Sequence, residues 1–429
     1  MLEDKRSLNY VRPLHLLLMS PTLSIMGGAD RDWVTLANAL GPERIRISWV
    51  GMQGCEALVP YLDASIVTRI FDVGLPWFTY LIQDNAYEKR SAWLWTKILG
   101  DHCVRLIGPL RRLRRALRND PVDVVVSNTA AVTLGALFAK LHRKPHVWCI
   151  KECLDPSIPA CRSFARWVAR MSSAVIVPSQ AAAKPFTGPV NVFPDGSNVQ
   201  AIDSGAKRFS RTEVLQRLKL PLDRPVVVQV GGVVHWKGQD ITARAFVDIA
   251  AQGKNKPFSL LFLGGGSPAF RGRVESILAS APRKWRELVR FERFDADDFS
   301  YLSASDIVVH PSVLPDPFPN AVREAMILGK PVIASRDGGI PEMIRDGETG
   351  ILVEPGNSIE LAAAITSLLN SRERRESLGE AAKQFGTREF DIHLRKQAFF
   401  TLMRNLVDAQ SFTHAKNRRT DTVSEITTE

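Results

Sequence analysis

Residues 316–339 read Asp-Pro-Phe-Pro-Asn-Ala-Val-Arg-Glu-Ala-Met-Ile-Leu-Gly-Lys-Pro-Val-Ile-Ala-Ser-Arg-Asp-Gly-Gly. A proline-rich loop opens a helix, predicted from about Ala321 to Leu328, and a strand follows from Pro331 to Ala334. The free N–H groups of such a helix favour an anion in front of the loop. Glu324, one turn in, is within reach of the same ligand, and a carboxylate accepts paired hydrogen bonds from a sugar diol. Anion and diol together suit a nucleoside diphosphate sugar. Taken alone, the residues read better as a surface glutamate and a helix capped by Asp316.

This loop, helix and strand are one period of a pattern that fills the chain. Short β-branched runs recur at Leu14–Met19, Ile45–Val50, Val122–Ser127, Val147–Ile150, Ala174–Val177 and Val190–Phe193. They recur again at Val226–Val230, Phe258–Leu263, Asp306–His310 and Gly350–Val353, with helical segments between. Alternation of this kind predicts an α/β protein of two doubly wound, Rossmann-like domains facing a cleft, with the ligand beyond the carboxyl ends of the strands. The expected division is a first domain over 1–202, a polar linker over 203–224 and a second domain over 225–388. A terminal helix over 389–409 and a disordered polar tail over 410–429 complete it.

The chain has 429 residues, 45% of them hydrophobic and 24% charged, as in a soluble globular protein of two domains. It has no apolar stretch long enough to span a bilayer, and its acidic amino terminus does not resemble a signal peptide. Five cysteines form no disulfide framework or zinc pattern, which points to a reduced, cytoplasmic protein. A net charge of +11 points to acidic partners, such as diphosphates or anionic lipid. No nucleic-acid-binding motif accompanies it.

Two glycine turns stand beside candidate binding residues. After Val226–Val230 comes Gly231-Gly232-Val-Val-His-Trp-Lys237-Gly238, which lacks the Lys-Ser or Lys-Thr order of a Walker loop. Lys237 could be solvated or could meet an anion. Gly27-Gly28 lies between a strand and a helix. Asp295-Ala-Asp297 has the form of a metal-binding pair but precedes a helix at about Phe299 and reads as a cap, so no metal is inferred.

The order of Asp316 to Gly339, followed by Gly338-Gly-Ile-Pro-Glu-Met-Ile and Gly347-Glu-Thr-Gly-Ile-Leu-Val-Glu-Pro-Gly356, resembles the carboxyl-terminal half of a retaining glycosyltransferase of family 4, with the GT-B fold. The family signature has two glutamates with seven residues between them and Phe-Gly among those seven. Glu324 stands at the second glutamate, Asp316 at the first and Pro319 at the glycine. The resemblance implies that Glu324 holds the donor ribose, and that Phe318, Pro319, Asn320, Ala321 and Val322 form the loop that meets the donor sugar and phosphates. It implies that Lys237 binds the diphosphate and Lys151 lies near the sugar with Glu152 beside it. It also implies that Gly27 and Gly28 leave room for the donor, and that Arg293 lies beside the nucleobase. Asp316 is shorter than glutamate by one methylene, about 1.5 Å, and Gly232 stands where many members carry arginine.

The resemblance thus implies a retaining hexosyltransferase that takes a nucleotide diphosphate sugar to a hydroxyl acceptor, a glycan or lipid-linked glycan, without metal or other cofactor. A catalytically silent scaffold in polysaccharide synthesis and a sugar epimerase are the alternatives. Finally, Leu110-Arg-Arg-Leu-Arg-Arg-Ala-Leu-Arg118 puts leucines on one helical face and five arginines around the rest. It predicts a peripheral contact with an anionic membrane.

Overall fold

The structure is a computed structural model that describes residues 12–21, 27–76, 92–253, 257–295 and 298–425. It divides into two compact units. The first comprises residues up to Ile150, Ser157–Ile176 and the chain from Lys396 onward; the second comprises Lys151–Pro156 and Val177–Arg395.

Seven strands form the first sheet: β1 (Leu14–Met19), β2 (Ile45–Gly51), β3 (Val67–Asp72), β4 (Val124–Asn128), β5 (His146–Cys149), β6 (Ala174–Val177) and β7 (Asn191–Val192), in the order 3-2-1-4-5-6-7. The pairing is parallel, with Leu16 of β1 between Ile47 and Val124. Every residue of β1 is buried, because a parallel strand covered on both faces reads as a continuous apolar run. Around it lie α1 (Gly28–Leu40), α2 (Ala92–Ala116), α3 (Leu134–His142) and α4 (Pro159–Met171).

The second sheet has β8 (Val226–Val230), β9 (Ser259–Leu263), β10 (Val289–Glu292), β11 (Ile307–His310), β12 (Val332–Ser335) and β13 (Ile351–Val353), in the order 10-9-8-11-12-13. Successive side chains serve opposite layers. Val226, Val228, Val230 and Val308 enter one core, while Val227, Leu260, Phe262 and Val309 enter the other. Both sheets reverse direction beside their first strand, between β1 and β4 and between β8 and β11. At such a point neighbouring loops diverge beyond the carboxyl ends and leave a crevice.

Two boundaries differ from expectation. The segment 203–224 is not a linker: it carries the helices Val199–Ala206 and Arg211–Arg217. Ile202, Val214, Leu215 and Leu218 are buried in the same core as Val226, so its polar composition describes only an outer face. Ser210 accepts from the Glu213 amide at 3.3 Å and fixes the start of the second helix. Nor does the chain lose structure at Gln410, since the last helix runs over Ile392–Glu425 without an interrupting proline or glycine.

Candidate functional site

The loops after β8 and β11, on either side of the second sheet's reversal, carry Lys237 and Asp316. Lys237 ends a short turn, His235–Lys237, and Gly238 then starts the helix Gln239–Gln252. Gly238 has φ +73, and a Cβ there would stand 1.9 Å from the Pro311 carbonyl oxygen. Glycine therefore lets the lysine turn lie directly against the loop after β11.

Lys237 Nζ lies 2.5 Å from Asp316 Oδ2, and His310 Nε2 lies 3.1 Å from the same oxygen. Ser312 Oγ is 2.9 Å from His310 Nε2, and Ser335 Oγ donates to the Ser312 carbonyl at 2.7 Å. Burial pushes the Asp316 carboxyl up, but Lys237 and His310 outweigh burial and hold it well below the usual carboxylate range. Burial is also the main reason that the His310 imidazole lies below its ordinary value.

A second set of contacts fixes the main chain of Lys237. Gln229, on β8, donates from Nε2 to the Lys237 carbonyl at 2.7 Å, and Thr242 Oγ1 donates to Gln229 Oε1 at 2.7 Å. Both side chains are buried. Sequence reasoning missed Gln229, Thr242, His310 and Ser312. The available signal was a glutamine and a histidine, each inside an otherwise apolar strand.

The predicted helix forms over Asn320–Ile327, with Pro319 at its N-cap and no side chain capping it. Asp316 is therefore not its N-cap residue. Glu324 is 2% exposed, which rules out the surface reading. Phe318 is a core residue, edge-on to Phe390 at 5.7 Å, and Ala321 and Val322 are buried with it. These three can meet a ligand only through the main chain. Behind the loop, a Cβ on Gly339 would lie 1.8 Å from the Pro317 carbonyl oxygen, and the Gly339 amide donates to the Asp316 carbonyl at 2.8 Å.

The remaining candidates divide. Lys151 Nζ pairs with Asp195 Oδ1, and Glu152 accepts from the Lys151 amide at 2.9 Å. Gly232 and Arg293 are exposed. Asp295 lies 3.5 Å from Arg208, Asp298 accepts from the Ser300 amide at 3.0 Å in the turn before a helix, and Asp297 lies outside the described residues. Gly27 and Gly28 belong to the first unit, at the N-cap and first turn of α1. Among the described residues, a Cβ on Gly27 would meet only Asp30 Oδ2 at 3.6 Å. At the first sheet's reversal Asn128 donates to Ser20 Oγ at 2.9 Å, and Thr129 holds φ +74.

Residues 210–385 match the glycosyl transferases group 1 family, and residues 86–196 match the glycosyl transferase 4-like domain. Residues 210–385 therefore resemble a group 1 glycosyltransferase domain. It is 32% identical over 196 residues to a D-inositol 3-phosphate glycosyltransferase of Corynebacterium diphtheriae, covering 45% of each chain. It is 29% identical over 184 residues to an alpha-D-kanosaminyltransferase of Streptomyces kanamyceticus, covering 42% of this chain and 46% of the relative. The chain thus aligns with under half the length of these relatives. In structure it resembles Anabaena HepE solved with UDP and glucose, at TM-score 0.72 and 21% identity over 91% of this chain and 100% of the other. It also resembles WaaG, a glycosyltransferase involved in lipopolysaccharide biosynthesis, at TM-score 0.63 and 15% identity over 90% and 99%. At these identities the likeness concerns the fold, which is GT-B.

Proposed function

We propose that this protein transfers a sugar from a nucleoside diphosphate sugar to a hydroxyl acceptor, a glycan or lipid-linked glycan, with retention at the anomeric carbon. The observation that carries the reading is Lys237 at the sheet reversal, paired with Asp316 of the loop that leads into the helix Asn320–Ile327, with Glu324 buried in that helix. A cation and a row of amides are what a diphosphate requires. A buried carboxylate close behind them supplies the acceptor for a ribose diol. Relatives named for glycosyl transfer, and a fold neighbour solved with UDP and glucose, support the same chemistry.

In this mechanism the bond between the anomeric carbon and the diphosphate breaks while charge grows on the departing oxygen. Lys237 and the amides near Phe318 stabilise that charge. The acceptor oxygen attacks on the face that the diphosphate leaves, and its proton passes to a phosphate oxygen of the leaving group. Asp316, paired with Lys237, holds the ammonium in place before the donor binds.

Purified protein incubated with a panel of nucleotide sugars and scored for released nucleoside diphosphate tests the proposal. Slow donor hydrolysis that disappears in Lys237→Ala is expected. Tight nucleotide binding with no turnover of any donor would instead identify a silent scaffold.

A further inference from the structure

One side of α2 and of the turn that follows it enters the first unit's core through Leu106, Leu113 and Leu117. At helical spacing on the opposite side stand Val104, Ile107, Arg111, Arg115 and Arg118. Val104 is 67% exposed and Ile107 47%, so the helix is apolar at one end of its outermost face and basic at the other. Arg112 is not part of that face. It lies on the other flank of the helix, still exposed, where its Nε and Nη2 donate to the Val73 carbonyl at 3.0 and 2.6 Å.

Two more helices extend the face. Leu134, Phe138 and Ala139 of α3 enter the same core as α2. The end of α3 presents Lys140, Arg143 and Leu141, the last 55% exposed. His102 Nε2 of α2 lies 2.7 Å from Thr133 Oγ1 at the start of α3, so the two helices are neighbours. On β5, Trp148 packs against Phe164 and Trp167 of α4. His146, two residues earlier and so on the same side of the sheet, bonds Ser127, over which Gly135 of α3 lies. Therefore α4 shares the side of the sheet that α3 covers. It exposes Arg162, Arg166, Arg170 and Trp167. Among all residues of these three helices, Asp101 is the only acid.

We propose that the outer face of α2, α3 and α4 is a docking surface for an anionic lipid bilayer. Positive charge alone would suit a nucleic acid as well. The four exposed apolar side chains, Val104, Ile107, Leu141 and Trp167, decide for a bilayer, because an interfacial helix sets cations among headgroups and apolar side chains at the acyl boundary. Tryptophan favours that depth. Among the described residues no helix is long and apolar enough to cross a membrane; the proposed contact is a peripheral, reversible one. It goes beyond the proposed transfer reaction and does not depend on it.

The test is co-sedimentation of the full chain with phosphatidylcholine vesicles, with and without phosphatidylglycerol, at low and high salt. Binding that requires phosphatidylglycerol and weakens with salt is expected. Combined Arg111→Gln, Arg114→Gln, Arg115→Gln and Arg118→Gln should weaken it by more than about tenfold. Val104→Asn with Ile107→Asn should weaken it even at low salt. Unchanged melting and unchanged nucleoside diphosphate affinity would show that both variants fold. A parent protein that stays in the supernatant at low salt overturns the proposal, as does a quadruple variant that binds like the parent. Loss through the arginines alone, with equal affinity for single-stranded RNA, would assign the face to nucleic acid instead.

Discussion

Lys237 and Asp316, 79 residues apart in the chain, meet at 2.5 Å across the reversal of the second sheet. The pair links the cation proposed for the diphosphate to the loop that opens the helix Asn320–Ile327. The Asp316 carboxylate lies below its ordinary pKa in the fold, so across the interval beneath about pH 4 the unfolded chain binds more protons than the folded one. The pair's stabilisation is complete above that interval and is lost as pH falls through it toward the folded value. Asp316→Asn should therefore be less stable than the parent by about 3 kcal/mol at neutral pH, the lower end for breaking a buried pair because Lys237 keeps some exposure. The difference should shrink in acid. Urea unfolding of both proteins at neutral pH and near pH 3 measures it, and a pH-independent gap would refute the account.

Gln229 acts on Lys237 through its carbonyl, and Thr242 holds Gln229. These are positioning residues. Gln229→Leu should lower kcat more than it raises KM for the donor, while Thr242→Ser, which keeps the hydroxyl, should retain most activity. Equal losses in the two variants would mean a packing role only.

Gly339 makes room for the Pro317 carbonyl, and a methyl group there would force the Asp316 loop to move. Gly339→Ala should cost about 1–3 kcal/mol and lower kcat/KM for the donor. Gly272, inside the helix Pro268–Leu278, meets nothing within 4 Å, so Gly272→Ala should gain about 0.5–1 kcal/mol. Thermal unfolding compares the two. Similar melting temperatures would remove the steric argument.

How much of this was legible follows from burial. β1, β8 and β11 are covered on both faces, so their apolar runs stood out in the sequence. β3 and β10 escaped notice because each lies at a sheet edge, where Val-Thr-Arg-Ile-Phe-Asp and Val-Arg-Phe-Glu keep polar residues in water. Lys237, Asp316 and Glu324 could be found from their places in motifs that resemble a known family, but the contact between Lys237 and Asp316 could not. It depends on β8 and β11 becoming neighbours although they are distant in sequence. The 203–224 segment misled because a short helix that buries only a few apolar residues has the composition of a loop.

Charge on the diphosphate is assigned here to Lys237 and main-chain amides, which leaves no step that requires a divalent cation. Donor turnover should survive excess EDTA. Activity that vanishes and returns with magnesium or manganese would contradict this and bring Asp295 back into consideration.

Glu324 is buried at 2% exposure within the helix whose amino end faces the proposed diphosphate, and its proposed partner is the ribose diol. Removing the charge while keeping the shape, in Glu324→Gln, should weaken nucleoside diphosphate binding by about 1.5–3 kcal/mol, the range for a charge-assisted hydrogen bond. Calorimetry with a ribonucleoside diphosphate and its 2′-deoxy counterpart separates this role from a structural one. The parent should prefer the ribonucleotide, because the deoxy form leaves a carboxylate oxygen without its hydroxyl. The variant should bind the two with nearly equal affinity, since the interaction is missing from both sides of the cycle. A variant that keeps the parent's preference would place the ribose elsewhere, and Glu324 would then be a residue of the fold alone.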